Sequence, residues 1–327
     1  MRAVITGGAG FLGSHLIDYL RQQKHEIVCL DRPGCNTAYL DKIGVPVIPC
    51  DVLQPGAVAA HIKAGDFVFH LAAFLGKAKV SKAEYRALNI DSAAMVCQQA
   101  LEKKAAKIIF PSSMAAMGPI GSPEKPMDET NSCAPATLYG ETKLAAEQQI
   151  KTIAEGKMDC IIFRPPPFFG PRMNPITSSF ILFDKMRSKT IALVGDTENY
   201  FPLCYVKNLA KAMVELSAHS PAGIHTYLVS DGPPVRFSQI LMALRKEFGI
   251  NEKIIHIPYG FAYSVAAFLG FLGKTFHFTP LLTTDIVDGM ARSVYFYDMS
   301  KAFQAGFKPD YSLDEGVRET VNWLKST

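Results

Sequence analysis

"VITGGAGFLGSHL", residues 4–16, joins a β-branched run to a helical pattern through Gly7, Gly10 and Gly13, spaced G-x-x-G-x-x-G. Glycines here permit a tight turn and a close backbone approach to a ligand. The first amides of the following helix make a positive end that suits an anion. The strand before, the helix after and the place at the start of the chain match the context in which this spacing holds a dinucleotide pyrophosphate. Phe11 and Leu12, which open the helix, belong to the same candidate cofactor loop.

Outward from this stretch the alternation continues. Short apolar runs at 3–6, 26–30, 45–49, 67–71, 107–110 and 160–163 read as strands, and 11–23, 83–102 and 137–155 as helices. Near-continuously apolar strands separated by helices predict a parallel sheet covered on both faces. The expected fold is therefore α/β: a Rossmann, doubly wound parallel sheet with a smaller C-terminal α/β substrate lobe. The alternation breaks at "RPPPFFGPRMNP", residues 164–175, where prolines and a Gly-Pro end it. The expected division is 1–165 for the dinucleotide domain and 166–327 for the lobe, with some later segments returning to the first. Residues 313–325 read as a final amphipathic helix capped by Ser312.

In this fold the carboxyl edge of the sheet holds the ligand. Asp31 ends the second strand, 18 residues after Gly13. A carboxylate there accepts hydrogen bonds from ribose hydroxyls and repels a 2′-phosphate, so NAD is favoured over NADP, although the adjoining Arg32 could take that phosphate. Asp51 and Val52 follow the third strand. "HLAA", residues 70–73, puts Leu71, Ala72 and Ala73 at the same edge after the fourth, with His70 read as a packed strand-end residue rather than a base.

The totals exclude several classes. The 327 residues are 48% hydrophobic and carry a net charge of +4, too balanced for a nucleic-acid footprint. Lys103, Lys104 and Lys107 read as the solvated end of a helix. The seven cysteines form no C-x-x-C; Cys29, Cys50, Cys160 and Cys204 lie in apolar runs, which fits a reduced, cytoplasmic location. The eight histidines have no ligand spacing, so no metal is expected. The chain opens directly with a strand and shows no secretory signal. Residues 254–273 lack Asp, Glu, Lys and Arg, but Pro258 and Gly260 leave about 14 residues of helix. That length suits a core, substrate-lining or interfacial helix, the last giving a weak membrane-surface contact.

"YGETK", residues 139–143, places Tyr139 and Lys143 one helical turn apart, on one face. By itself the pair reads equally as two surface residues. Ser112 and Ser113 end the fifth strand in "IIFPSSMAAMG", residues 108–118, at the same sheet edge. Together with the glycine loop, Asp31, "ALNIDSAA" (87–94), Pro135, "KLAAE" (143–147) and the late "DMSKAFQAGFKPDYSLDEGV", the order resembles the extended short-chain dehydrogenase/reductase family over nearly the whole chain.

The resemblance implies a Ser-Tyr-Lys site of Ser113, Tyr139 and Lys143, with Tyr139 and Lys143 also contacting NAD and Lys143 holding its nicotinamide ribose. The residue types suit that chemistry. A free tyrosine titrates near about 10, and an adjacent ammonium together with the positive nicotinamide ring is expected to lower it. Tyr139 then exchanges a proton with a substrate oxygen that Ser113 holds. Ser112 reads as a structural neighbour. Asn89 falls where the family carries a helix asparagine, as a structural or water-holding residue or a relay member, and is grouped with the cofactor-binding residues. The resemblance also implies a homodimer through the helices at 83–102 and 137–155.

Two substrate classes remain. Nucleotide-sugar epimerases and dehydratases of the family commonly carry R-Y-F-N-x-Y-G-P and an arginine for the diphosphate. This chain has "RPPPFFGP", with Pro167 in place of the Asn, and Phe201 in place of the Arg. Its "AMG" (116–118) replaces V-Y-G at Met117. Arg172 or Arg292 could compensate. The departures resemble the hydroxysteroid-dehydrogenase-like branch, which shows R-P-x-x-x-x-G-P and Y-V-x-N-x-A, as in residues 164–171 and 205–210. Phe168, Phe169, Phe261, Tyr263, Phe268 and Phe271 suit an apolar pocket for a sterol, acyl or aromatic ketone, or a plain core. The expected activity is NAD-dependent interconversion of a secondary alcohol and a ketone. The alternative is an NAD-dependent nucleotide-sugar epimerase or dehydratase.

Overall fold

The computed structural model describes residues 1–327 except 75–80, 120, 189, 252–253, 277–282 and 292–294, with backbone only at 274–276, 285–286 and 289–290. Chain order begins β1 (Arg2–Thr6), α1 (Phe11–Gln22), β2 (Glu26–Asp31), α2 (Ala38–Lys42), β3 (Val47–Pro49), β4 (Phe67–His70). It continues α3 (Lys82–Arg86), a π-turn over Ala87–Asp91, α4 (Ser92–Glu102), β5 (Lys107–Pro111), α5 (Leu138–Ala154), β6 (Asp159–Arg164). The remainder is β7 (Phe168–Phe169), α6 (Ser178–Lys185), β8 (Ile191–Val194), β9 (Tyr200–Phe201), β10 (Cys204–Tyr205), α7 (Val206–His219) and β11 (Ile224–Leu228). After these come β12 (Val235–Arg236), α8 (Phe237–Phe248), β13 (Ile254–Ile257), α9 (Tyr259–Phe276), α10 (Thr284–Ala291), α11 (Ser300–Gln304) and α12 (Leu313–Ser326).

The central sheet is parallel, in the order β11-β6-β5-β4-β1-β2-β3. Side chains alternate across it with period two. Along β1, Ala3 and Ile5 join the core shared with α1 and α7, while Val4 joins the opposite core with Val96, Ala100, Ala146 and Ile150 of α4 and α5. Each fully buried valine or isoleucine among them contributes about 1.5–3 kcal/mol. This two-sided burial is why the strands read as apolar runs rather than alternating ones. The strand order reverses between β1 and β4, which opens the ligand crevice at their carboxyl ends.

Several expectations are refined. The seventh strand, β11, lies at the sheet edge beside β6, Ile224 opposite Cys160. Its sequence, "IHTYL", mixes polar and apolar residues, so it carries no apolar-run signal. β11 extends the seven-stranded sheet, and Leu209 and Met213 of α7 share a core with Leu16 and Leu20 of α1. The single helix expected over 83–102 is α3 and α4 joined by the π-turn. Lys107 is not a solvated helix end. It is buried in β5, where its ammonium donates to Ser220 O at 3.1 Å and lies 3.6 Å from Asp159. The cap at Ser312 is a full capping box with Glu315.

The aromatic residues of the lobe do not form one pocket. Phe169 is core, its ring tilted against those of Phe183 and Tyr205. In α9 the inward face is Ala262 and Ala266, packed with Val194 and Val287, while Phe261, Phe268 and Phe271 are 66%, 61% and 65% exposed. Small inward residues let the helix lie close to the lobe, and the large rings are left outside. Among the described residues no helix is long and apolar enough to cross a membrane.

Candidate active site

The glycine loop follows β1 directly. Gly7 takes φ +73°, and a Cβ there would stand 2.7 Å from Ala72 N, so only glycine lets the loop rest on the segment after β4. The amides of Gly7 and Gly8 donate to Leu30 O at 2.8 and 3.3 Å. A Cβ on Gly13 would meet Gly7 O at 2.4 Å and Gly8 Cα at 2.7 Å, whereas one on Gly10 would meet only Gly7 O, at 3.1 Å. Gly7 and Gly13 therefore shape the loop, and Gly10 leaves its outer side clear. Gly10 begins α1 with no side-chain cap, which leaves the first amides of the helix for an anion, with Phe11 and Leu12 among them.

Asp31 ends β2 beside this loop. Its carboxylate accepts from Ala9 N and Arg32 N, both at 2.8 Å. Asp51 accepts from Leu53 N at 3.0 Å, and Val52 is buried. Leu71 N donates to Thr6 O at 3.0 Å and Ala72 N to the Thr6 hydroxyl at 3.4 Å, so 71–73 runs along the crevice between β1 and β4.

The second half of the site is built by β5 and α5. Ser113 stands just past β5 in extended backbone, and its hydroxyl accepts from Ala115 N at 3.1 Å, capping a 3₁₀ turn over Met114–Ala116. Thr137 caps α5 by accepting from Gly140 N at 3.1 Å. A Cβ on Gly140 would lie 2.2 Å from Ala115 O. Only glycine lets the first turn of α5 rest on the turn after Ser113, and this contact brings Tyr139 to Ser113.

Tyr139, Lys143 and Glu147 fall one turn apart along the sheet-facing side of α5. The buried Lys143 ammonium donates to Pro111 O at 2.9 Å, sits 4.6 Å over the Phe110 ring, and is 6.0 Å from the Tyr139 ring centre. Burial pushes Lys143 down to about 8 from 10.5, with the Glu147 carboxylate opposing. Glu147 accepts a bidentate pair from Arg164, the last residue of β6, at 2.9 and 2.7 Å. The expected lowering of the Tyr139 phenol is not produced by the protein's own groups. Burial pushes it above its ordinary value, the Tyr85 phenol adds to the rise, and the neighbouring Ser113 hydroxyl pulls it back.

Asn89, on the π-turn, is committed to the protein: its carbonyl accepts from Phe74 N at 2.7 Å, and its amide donates to Phe74 O at 3.3 Å and the Thr142 hydroxyl at 3.4 Å. It clamps the chain after residue 73 to the helix that carries Tyr139 and Lys143. The Ser112 hydroxyl is buried without a partner among the described residues.

The substrate-side expectations divide. Arg172 is occupied elsewhere: its guanidinium donates to the Ser14 hydroxyl at 3.0 Å and Asp18 at 2.7 Å, and lies 3.8 Å over the Tyr39 ring. It braces α1 and is not a substrate arginine. Arg292 lies outside the described residues. Phe201 packs against Phe237 and Tyr295, and Pro167 O accepts from Cys204 N. Met117 is buried with Met114, Leu228 and Tyr297. Phe168 stacks on Phe11 at 5.4 Å, joining the loop after β6 to the start of α1.

Sequence reasoning missed Gly140, Thr142 and the Glu147–Arg164 pair. The glycine directly after Tyr139, and Glu147 one turn beyond Lys143, were the available signals.

The model of the NAD dependent epimerase/dehydratase family matches residues 3–229. A 2-alkyl-3-oxoalkanoate reductase of Stenotrophomonas maltophilia is 26% identical over 97% of this chain and 98% of its own. A putative UDP-glucose 4-epimerase of Methanocaldococcus jannaschii is 25% identical over 99% and 98%. The solved UDP-glucose 4-epimerase of Thermus thermophilus, in complex with NAD, superposes with a TM-score of 0.77 over the whole of both chains at 22% identity.

Proposed function

The chain belongs to the NAD dependent epimerase/dehydratase family, and from that membership we propose that it interconverts a secondary alcohol and a ketone on an apolar substrate. NAD, when bound, supplies the hydride exchange, and its oxidised ring adds a positive charge beside Tyr139 that favours the phenolate. The uncapped amides of Phe11, Leu12 and Gly13 suit its pyrophosphate, and Gly10, whose own amide donates to Gly7 O at 3.1 Å, leaves room for it. The loop shape set by Gly7 and the carboxylates of Asp31 and Asp51 suit its adenosine half. Val52 and the run Leu71, Ala72 and Ala73 suit the crevice wall, and Asn89 fixes that wall from behind.

Ser113 holds the substrate oxygen, Tyr139 exchanges the proton with it, and Lys143 keeps a buried positive charge beside the phenol while facing the nicotinamide ribose. A phenol held protonated by its surroundings serves as the proton donor in ketone reduction. Glu147, itself neutralised by Arg164, fixes the level of Lys143 in the helix.

The observation that carries the substrate reading is Phe201. It stands among Phe237 and Tyr295 where a diphosphate would need a guanidinium, while Arg172 is spent on Ser14 and Asp18. The reductase relative, named for an alkyl oxoalkanoate, agrees with this class. The second reading, a nucleotide-sugar epimerase, is favoured by the comparable identity to the putative UDP-glucose 4-epimerase. Thermal shifts with NAD present and UDP, dTDP, GDP or CDP added in turn separate the two. Saturable stabilisation by one nucleotide would replace the first reading. No stabilisation, with NADH formed from hydrophobic secondary alcohols, supports it.

The paired faces of α4 and α5 are the proposed homodimer contact, and Phe261 and Phe268 of α9 the proposed membrane-surface contact. The seven cysteines are unpaired, in keeping with a reducing, cytoplasmic location.

A further inference from the structure

His70 lies at the end of β4, 1% exposed, and takes no part in the proton exchange described above. Its ring is held from three sides, by Ser92, Thr6 and Phe110. The Ser92 hydroxyl gives its one proton to Leu88 O, so toward His70 it can only accept; His70 Nε2, 3.3 Å away, therefore carries the ring proton. Nδ1 is then bare and accepts from the Thr6 hydroxyl at 2.8 Å. Thr6 in turn accepts from Ala72 N at 3.4 Å.

The result is one directional chain, from Ala72 N–H through Thr6, His70 and Ser92 to the Leu88 carbonyl of the π-turn. One face of the ring stacks on Phe110 at 6.1 Å and 18°, and the Phe110 ring also carries the Lys143 ammonium at 4.6 Å. Burial and the Lys143 charge push the imidazole down to about 3, so it is neutral at any working pH.

The geometry points to His70 as a positioning residue for the cofactor site. It fixes two walls together: the Ala72 segment against the glycine loop, and the Phe110 ring under Lys143. Gly7 and Ala72 are in such close contact that a loss of register there reaches the pyrophosphate loop directly. A neutral imidazole suits this place because a single ring can accept on one side and donate on the other. This inference rests on NAD binding at this edge with Lys143 at its ribose.

The test uses the full chain and NADH fluorescence titration, steady-state kinetics and melting temperature for His70→Phe, Thr6→Val and Thr6→Ser. His70→Phe keeps the stack on Phe110 and removes both ring hydrogen bonds. Thr6→Val breaks the chain without touching the histidine, and Thr6→Ser restores the hydroxyl. The expected result is a rise of about tenfold in the NADH dissociation constant for the first two, with the serine variant near wild type. The turnover number should change less than about threefold in all three, a split that general loss of packing does not give. Wild-type NADH affinity in a folded His70→Phe, or a serine variant as weak as the valine one, overturns the inference. If His70→Phe does not fold, the Thr6 pair decides alone. NADH binding by the wild type together with turnover retained by Tyr139→Phe would instead remove the catalytic reading, leaving the binding result to judge His70 separately.

Discussion

Gly10→Ala and Gly13→Ala differ by three positions in one loop, and the structure assigns them opposite consequences. A Cβ on Gly13 would stand 2.4 Å from Gly7 O and 2.7 Å from both Gly8 Cα and Gly8 O, all backbone, against 3.4 Å for ordinary contact. No side chain can swing away, so the loop itself must retreat by about 1 Å, an overpacking that costs about 1–3 kcal/mol. In a chain of this size that lowers the melting temperature by about 2–6 °C. Gly10 takes φ −73° and ψ 177°, which alanine adopts freely, and its Cβ would meet only Gly7 O at 3.1 Å. Gly10→Ala should therefore melt within about 1 °C of wild type in the absence of cofactor. Its methyl group instead fills the side of the loop left clear for the pyrophosphate, so NADH affinity should fall at least about tenfold, or about 1.4 kcal/mol. Differential scanning calorimetry of the free proteins and NADH fluorescence titration read the two effects separately. A Gly13→Ala protein as stable as wild type, or a Gly10→Ala protein with wild-type NADH affinity, would refute the division of roles.

Tyr139→Phe should abolish alcohol–ketone turnover while leaving the NADH dissociation constant within about threefold of wild type; loss of binding by titration would count against its role as proton donor. Lys143→Met should remove activity yet stabilise the fold at pH 7. The lowering from 10.5 to about 8 corresponds to about 3 kcal/mol held against the buried ammonium, less what the bond to Pro111 O returns, leaving about 1–2 kcal/mol. The sign follows from linkage: below about 8 both folded and unfolded wild type keep the proton and the full penalty stands. Between about 8 and 10.5 only the folded state loses it, so the advantage of the methionine variant should shrink as pH rises, as denaturant midpoints across that range will show. Arg164→Met leaves the Glu147 carboxylate buried without its bidentate partner and should cost about 3–5 kcal/mol by chemical denaturation, against little for a surface arginine such as Arg187. Phe268→Ser in α9 should weaken co-sedimentation with lipid vesicles if that face meets a membrane, with no change in melting temperature because the ring is exposed.

Local rules alone determined the sheet and the loop. Strands buried on both faces must be apolar throughout, so β1 to β6 stand out as runs, and a pyrophosphate loop must use glycine where a Cβ has no room. The pair Tyr139 and Lys143 was legible because four residues close one helical turn. Contacts between distant segments were not legible. Nothing near Arg172 says that Ser14, Asp18 and Tyr39 will occupy it, and nothing near Lys107 says that Ser220 will meet it inside β5. β11, "IHTYL", mixes polar and apolar residues, and its place beside β6 is decided by the whole strand order. The aromatic residues of α9 fit a core by their spacing, but which face of a helix turns inward is decided by what lies beside it, and here alanine fits the close approach. The upward shift of the Tyr139 phenol has the same origin. Residue types place a lysine beside a tyrosine, but the depth at which α5, β5 and the π-turn enclose them sets the desolvation that dominates the proton.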